Sequence, residues 1–269
     1  MVREKLCRTA LNKSGIPGFD YCVNPYTGCS HGCVYCYATF MKKYSGHSEE
    51  WGQFVDAKVN LPEVLSTDVR RHQPGATVVG SVCDPYQPIE EKYQLSRRAI
   101  AILGCRGYPF QVLTKSALIL RDIELLKQFP DSGVSVTITT LNEDARALFE
   151  PRAQPVKDRV SAVRQLIRAD VNTRVFLGPL LPWFSDTPER LRELLQMVAS
   201  TGVKHVMVDK LNYLGAKRQA ILPLLRERFP EALAAYQEIL EHPRDYAERL
   251  RKRIADAAHG FNLDVEVVF

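Results

Sequence analysis

The chain has 269 residues, 45% of them hydrophobic and 25% charged, a balance that excludes disordered, collagenous and membrane-spanning classes and predicts a packed core. Its 36 Lys and Arg against 31 Asp and Glu give a formal charge of +5, which permits an acidic partner without demonstrating one. Seven cysteines at uneven spacing argue against a closed disulfide framework and predict reduced thiols, some of them metal ligands. The longest apolar stretches, such as Thr77 to Cys83, are far too short to span a bilayer, and the opening residues lack a secretory h-region, so a cytoplasmic protein without a membrane partner is expected.

In chain order, a short leading strand precedes a cysteine-rich loop between Asn24 and Ala38, and a helical stretch follows it. From residue 77 onward, β-branched runs predict strands at Thr77 to Ser81, Gln111 to Thr114, Val134 to Thr139, Arg174 to Leu181 and His205 to Val208. Apolar residues at helical spacing lie between them: Leu95, Ala99, Ile102 and Leu103, then Ile123, Leu126 and Phe129, then Val160, Val163, Leu166 and Ile167. The alternation implies βαβ units and a parallel sheet, either open and covered on both faces or closed into a barrel. In both arrangements chemistry collects at the strand C-terminal ends, which here read Cys83-Asp84, Thr114-Lys115, Thr139-Thr140, Gly178-Pro179 and Asp209-Lys210. The tail after Pro223 reads as helices, including a basic segment from Tyr246 to Ala258 that suits a solvated helix face, and ends in a strand from Leu263 to Phe269. With no repeat or linker in view, one domain over residues 1–269 is expected, its core at about 20–212 and a C-terminal helical extension at about 213–269.

Cys29, Cys33 and Cys36 fall in one compact loop with glycines at 28 and 32 that permit tight turns. Three thiolates can each ligate one iron of a four-iron cluster and leave the fourth open for a substrate or cofactor. The alternatives that these residues leave open are zinc held by the three cysteines and His31, or simply a cysteine-rich turn.

The Cys29-Ser30-His31-Gly32-Cys33-Val34-Tyr35-Cys36 spacing resembles the radical S-adenosylmethionine superfamily. The flanking Asn24-Pro25-Tyr26 and Tyr37-Ala38 resemble its branch related to spore photoproduct lyase, as do Asp84-Pro85-Tyr86-Gln87-Pro88-Ile89-Glu90, Leu113-Thr114-Lys115-Ser116, Leu120-Arg121-Asp122, Thr139-Thr140-Leu141, Glu150-Pro151-Arg152 and Gly178-Pro179-Leu180-Leu181-Pro182. The resemblance implies an α/β fold, a partial (β/α)6 TIM-type barrel. It also implies a [4Fe-4S] cluster on Cys29, Cys33 and Cys36, S-adenosylmethionine on the open iron, and an electron donor such as a flavodoxin or ferredoxin. One electron would cleave the sulfonium to a 5′-deoxyadenosyl radical that abstracts hydrogen from an enclosed substrate.

By the same resemblance Lys115 is expected to bind the cofactor carboxylate, Thr137 and Thr139, taken as strand residues of one parity, its ribose or methionine part, and Gly178 with Pro179 its adenine. Arg159 resembles an arginine that lies near the cofactor, with a surface helix position as the alternative. Asp84 and Glu90 are expected to orient the cofactor ammonium or to cap the following helix. The lyases use a thiol near the end of the second strand as a hydrogen-atom donor. Here Ser81 matches that position, and Cys83, two residues on, would share its face of a continuous strand. Tyr35 and Tyr37 match tyrosines associated with radical transfer, with packing around the cluster as the alternative. Three activities are carried forward: radical chemistry on damaged or modified nucleic acid, the same chemistry on a peptide or metabolite, and a non-catalytic zinc or iron–sulfur module.

Overall fold

A computed structural model describes residues 1–269. The chain divides into two compact units: Met1–Gly32 with Ala38–Val136 and Gln165–Thr173, and Cys33–Tyr37 with Thr137–Arg164 and Arg174–Phe269. It is an α/β fold in which parallel strand pairing dominates.

The first unit contains strands β1 (Val2–Lys5), β2 (Asn12–Lys13), β3 (Tyr21–Val23), β4 (Tyr26–Thr27), β5 (Val55–Lys58), β6 (Thr77–Val79), β7 (Phe110–Thr114) and most of β8 (Gly133–Thr137). Strands β2, β3, β6, β7 and β8 lie side by side in that order, with only the β2–β3 pair antiparallel. A smaller sheet joins β1 to β5 in parallel and β5 to β4 in antiparallel fashion. Val23, Val79, Val112, Val134 and Val136 are completely buried, as befits β-branched residues of parallel strands covered on both faces. The helices are α1 (Lys42–Ser45), α2 (Leu61–Arg71), α3 (Glu90–Tyr93), α4 (Leu95–Cys105) and α5 (Ile123–Leu126). Helix α4 buries Leu95, Ala99, Ile100 and Leu103. Ile100 thus takes the core place expected of Ile102, a shift of about half a turn that the apolar spacing alone does not resolve. The segment expected as a helix through Phe129 is a 3₁₀ turn over Ala117–Asp122 followed by the single turn of α5.

The second unit carries α6 (Glu143–Phe149), most of α7 (Val156–Arg168) and the parallel strands β9 (Thr173–Leu180), β10 (His205–Lys210) and β11 (Asp264–Val267), in the order β9–β10–β11. Between and after these lie α8 (Pro188–Ala199), α9 (Leu214–Arg228), α10 (Leu233–Glu241) and α11 (Pro243–Ala258). Helix starts are fixed by side-chain caps: Asn142 accepts from Ala145 N at 2.8 Å, and Thr187 sits ahead of Pro188 at the first turn of α8. Helix α11 buries Tyr246, Leu250, Ile254 and Ala257, while Arg249 and Arg251 face solvent, the solvated-face pattern expected of the basic segment. No helix is long and apolar enough to cross a membrane.

Candidate active site

In the first unit the cysteine loop is fastened to the segment after β6. Gly28 adopts φ +86°, and a Cβ there would meet the Phe54 carbonyl oxygen at 2.5 Å, so only glycine fits this approach. Ser30 N donates to Gln87 Oε1 at 2.8 Å, and Gln87 Nε2 donates to Gly28 O at 3.3 Å. The completely buried glutamine therefore reads both ends of the turn into Cys29. His31 Nδ1 lies 3.4 Å from Asp84 Oδ2.

Asp84 is the hub. Its Oδ1 accepts from Tyr86 N at 2.9 Å and from Thr114 Oγ1 at 2.6 Å, and its Oδ2 accepts from Lys115 N at 2.7 Å. One carboxylate thus sets the turn of the Pro85-Tyr86-Gln87-Pro88 loop, the end of β7 and the backbone of Lys115, with His31 of the cysteine loop against it. Charge-assisted bonds of this kind are the stronger class, and protein donors occupy the oxygens that the cofactor ammonium was expected to meet.

Glu90 takes the capping role. Completely buried, it accepts from Ser96 N at 2.9 Å and Arg97 N at 3.1 Å in the first turn of α4, and from the Tyr26 hydroxyl at 2.5 Å. Arg121 Nη2 reaches it at 2.9 Å. Arg121 also pairs with buried Asp122, which accepts from the Tyr86 hydroxyl at 2.8 Å. Burial first, then the facing Glu90, pushes the Tyr26 phenol far above its usual range.

Two expectations about strand ends are corrected. Strand β6 stops at Val79 because Gly80 turns the chain with φ +95°, where a Cβ would meet Pro85 Cδ at 2.4 Å. Ser81 and Cys83 therefore lie past the strand, and their shared strand parity does not hold. Ser81 Oγ accepts from Asn24 Nδ2 at 2.9 Å, whereas Cys83 is buried in an apolar cluster with Tyr26, Cys29, Val55, Ala57 and Leu95. Likewise β8 ends at Thr137, so Thr139 is a loop residue. Its hydroxyl is buried and has no hydrogen-bond partner, an arrangement that costs free energy unless a ligand completes it.

In the second unit the remaining part of the loop, Cys33–Tyr37, docks on the end of α6. Val34 N donates to Phe149 O at 2.9 Å, and the Tyr35 hydroxyl bonds the buried Glu150 carboxylate. Glu150 Oε2 lies 2.6 Å from Arg159 Nη2. Arg159 belongs to the first turn of α7 and is completely buried, which excludes the surface alternative. Its Nε donates to Gln154 O at 2.9 Å and its Nη1 to Thr137 O at 3.2 Å. Burial opposes the charge on Arg159, but the Glu150 carboxylate outweighs it and holds the guanidinium above its usual value. Tyr37 separates from Tyr35: it is half-exposed and stacks on Tyr213, with ring centroids 6.1 Å apart. Lys217, whose ammonium burial pulls below its usual value, feels the charge of Cys36. Gly178 and Pro179 lie near the C-terminal end of β9 and are joined by a cis peptide bond.

The Glu150–Arg159 pair escaped the sequence reading. Glu150 stands within the recognised Glu150-Pro151-Arg152 stretch, but nothing in the pattern couples it to a residue in the next helix. The cysteine loop presents soft donors suited to an iron–sulfur cluster. None of the seven cysteines is in a disulfide, Cys29 and Cys33 are buried and Cys36 is half-buried, which is the donor chemistry such a group requires. By their chemistry these thiols suit a cluster, and the orphaned Thr139 hydroxyl is a polar group that a ligand could complete.

A family model described as the Radical SAM superfamily matches residues 23–198. An uncharacterized protein of Mycobacterium tuberculosis is 31% identical over 268 residues, covering 94% of this chain and 78% of the relative. A protein named radical SAM Nα-GlyT isomerase from Pseudomonas phage M6 is 25% identical over 219 residues, 80% of this chain and 44% of its own. Among solved structures, a spore photoproduct lyase variant with bound S-adenosylmethionine and dinucleoside spore photoproduct superposes with a TM-score of 0.74 at 14% identity, covering 99% of this chain and 81% of that one. Streptococcus suis SuiB bound to S-adenosylmethionine gives 0.60 at 11% identity over 92% and 50%. Both structural likenesses concern the fold.

Proposed function

The chain belongs to the radical S-adenosylmethionine superfamily, an enzyme family that uses a [4Fe-4S] cluster and S-adenosylmethionine, and from that premise we propose a radical enzyme acting on damaged or modified nucleic acid, with Cys29, Cys33 and Cys36 as the cluster ligands. Membership removes the non-catalytic module from consideration. We read the whole of residues 1–269 as one catalytic domain in the cytoplasm, a partial (β/α)6 barrel with a C-terminal helical extension. When bound, the cluster and S-adenosylmethionine supply a 5′-deoxyadenosyl radical for hydrogen abstraction.

The observation that carries this reading is the Asp84 hub, which bonds the backbone of Lys115 and faces His31 of the cysteine loop. In this proposal Asp84 positions Lys115, and Lys115 neutralises the cofactor carboxylate. Thr137 and Thr139 face its ribose or methionine part, with the Thr139 hydroxyl as the donor awaiting a partner. Gly178 borders the adenine, and Arg159 supports the cluster side. Cys83, buried beside Cys29, is the candidate hydrogen-atom donor, and Tyr35 and Tyr37 the candidate relay. A flavodoxin or ferredoxin would deliver the electron. The spore photoproduct lyase fold favours nucleic acid, and the SuiB fold, solved with its precursor peptide, keeps a peptide as the competing substrate.

The test is 5′-deoxyadenosine release by anaerobically reconstituted, reduced protein offered ultraviolet-irradiated DNA, undamaged DNA, RNA or peptides. Stimulation by irradiated DNA together with loss of the photoproduct supports the proposal. Stimulation by peptide alone, or cleavage indifferent to every nucleic acid, overturns it.

Thr139→Val gives a second check on the cofactor assignment. Removing an unpartnered buried hydroxyl is expected to leave the melting temperature unchanged or raised. The loss of one hydrogen bond worth about 1 kcal/mol net would raise the KM for S-adenosylmethionine about fivefold. An unchanged KM removes Thr139 from the cofactor site.

A further inference from the structure

We propose that the buried Glu150–Arg159 pair braces the Cys33–Tyr37 arm of the cysteine loop and, by its balance of charge, sets the reduction potential of the cluster held there. The inference rests on the reading of Cys33 and Cys36 as cluster ligands. Five observations converge on it, all within the second unit. The arm is tied by its backbone to the end of α6, through Val34 N and Phe149 O at 2.9 Å. Its Tyr35, one residue before Cys36, bonds the Glu150 carboxylate. Glu150 and Arg159 pair at 2.6 Å with both side chains inaccessible to solvent. Arg159 is held in turn by the Thr137 and Gln154 carbonyl oxygens, so neither charge can swing away. Cys33 is electrostatically coupled to both Tyr35 and Arg159.

A surface ion pair would be screened and of little consequence. Here the pair lies where the effective dielectric constant is low, so each charge acts on its surroundings with little attenuation. Reduction places one further negative charge on a cluster. A guanidinium nearby stabilises the reduced form and raises the potential, and a carboxylate does the reverse. As a neutral pair the two charges largely cancel, and removing one uncovers the other. Glu150 and Arg159 thus act as positioning residues whose influence has a sign.

The experiment is an equilibrium redox titration of the reconstituted protein, read by electron paramagnetic resonance, for Arg159→Met, Arg159→Lys and Glu150→Gln. Arg159→Met leaves Glu150 uncompensated and should shift the potential to more negative values. Glu150→Gln leaves Arg159 uncompensated and should shift it to more positive values. Arg159→Lys, which keeps the charge, should lie nearer the parent than Arg159→Met. Shifts of the same sign in Arg159→Met and Glu150→Gln, or parental potentials in both, overturn the proposal, because a merely structural role gives no opposed pair.

If a variant fails to retain a cluster, the apo-protein supplies the second measurement, the rate of Cys33 alkylation by iodoacetamide followed by mass spectrometry. Loss of the brace should expose the buried thiol and speed alkylation several-fold in Glu150→Gln and in Tyr35→Phe, whereas parental rates in both overturn the brace. A parent protein that takes up no cluster refutes the ligand reading instead, and the alkylation rates still judge the brace separately.

Discussion

The Cys33→Ala substitution is expected to yield a colourless protein that binds no four-iron cluster after anaerobic reconstitution and releases no detectable 5′-deoxyadenosine. A cluster held by three thiolates has no ligand in reserve, so two cannot retain it against loss of iron. Two of the other thiols are poorly placed to substitute. Cys22 is half-buried in β3, with its thiol 3.9 Å from the Lys13 carbonyl oxygen, and Cys105 is exposed at the end of α4. Cys105→Ala is therefore the matched control and should keep parental iron, sulfide and turnover. Iron and sulfide analysis with the visible absorption spectrum decides the outcome. Undiminished iron in Cys33→Ala would remove Cys33 from the ligand set.

Much of this site is legible in the residues before any coordinates are drawn, and the boundary of what is legible has a physical cause. The cysteine spacing and its glycines are local features, and local chemistry reads directly: Gly28 does stand where no Cβ fits. The β-branched runs locate β7, β8, β9 and β10 within a few residues, because apolar residues fill the buried positions of each strand, every position in β8 and alternate ones in β7. Strand ends read less well. Gly80 stops β6 at Val79, two residues before the expected strand end at Ser81, and Thr139 keeps a strand-like neighbourhood in the sequence although β8 is already over. Charge pairing between distant segments does not read at all. Glu150 with Arg159, and Glu90 with Arg121, are joined only when the fold brings helices and loops together, and an isolated Glu or Arg in a sequence defaults to the surface. Their burial is what gives them their weight.

That weight is plain at Glu90, and Glu90→Ala is expected to cause a large loss of stability. The carboxylate is inaccessible to solvent and bonds four partners: the Tyr26 hydroxyl, Ser96 N, Arg97 N and Arg121. Alanine removes the acceptor for two first-turn N–H groups of α4, leaves a buried tyrosine hydroxyl without its acceptor, and deprives Arg121 of one of its two carboxylates. Breaking one side of a buried charged network costs about 3–5 kcal/mol. At about 2–4 °C per kcal/mol for a chain of this size, the melting temperature should fall by roughly 10 °C. The loss is mitigated because Asp122 still holds Arg121 at 2.9 Å, so the guanidinium does not become an isolated buried charge. Glu90→Gln discriminates between shape and charge. The amide keeps one acceptor oxygen for the α4 N-terminus but turns a donor toward the other partners, so it should recover only part of the difference. Calorimetry of the three proteins at one pH decides the matter. A Glu90→Ala melting temperature within about 2 °C of the parent would amount to a loss below about 1 kcal/mol, and the network would then not hold the loop between β6 and α4 in place.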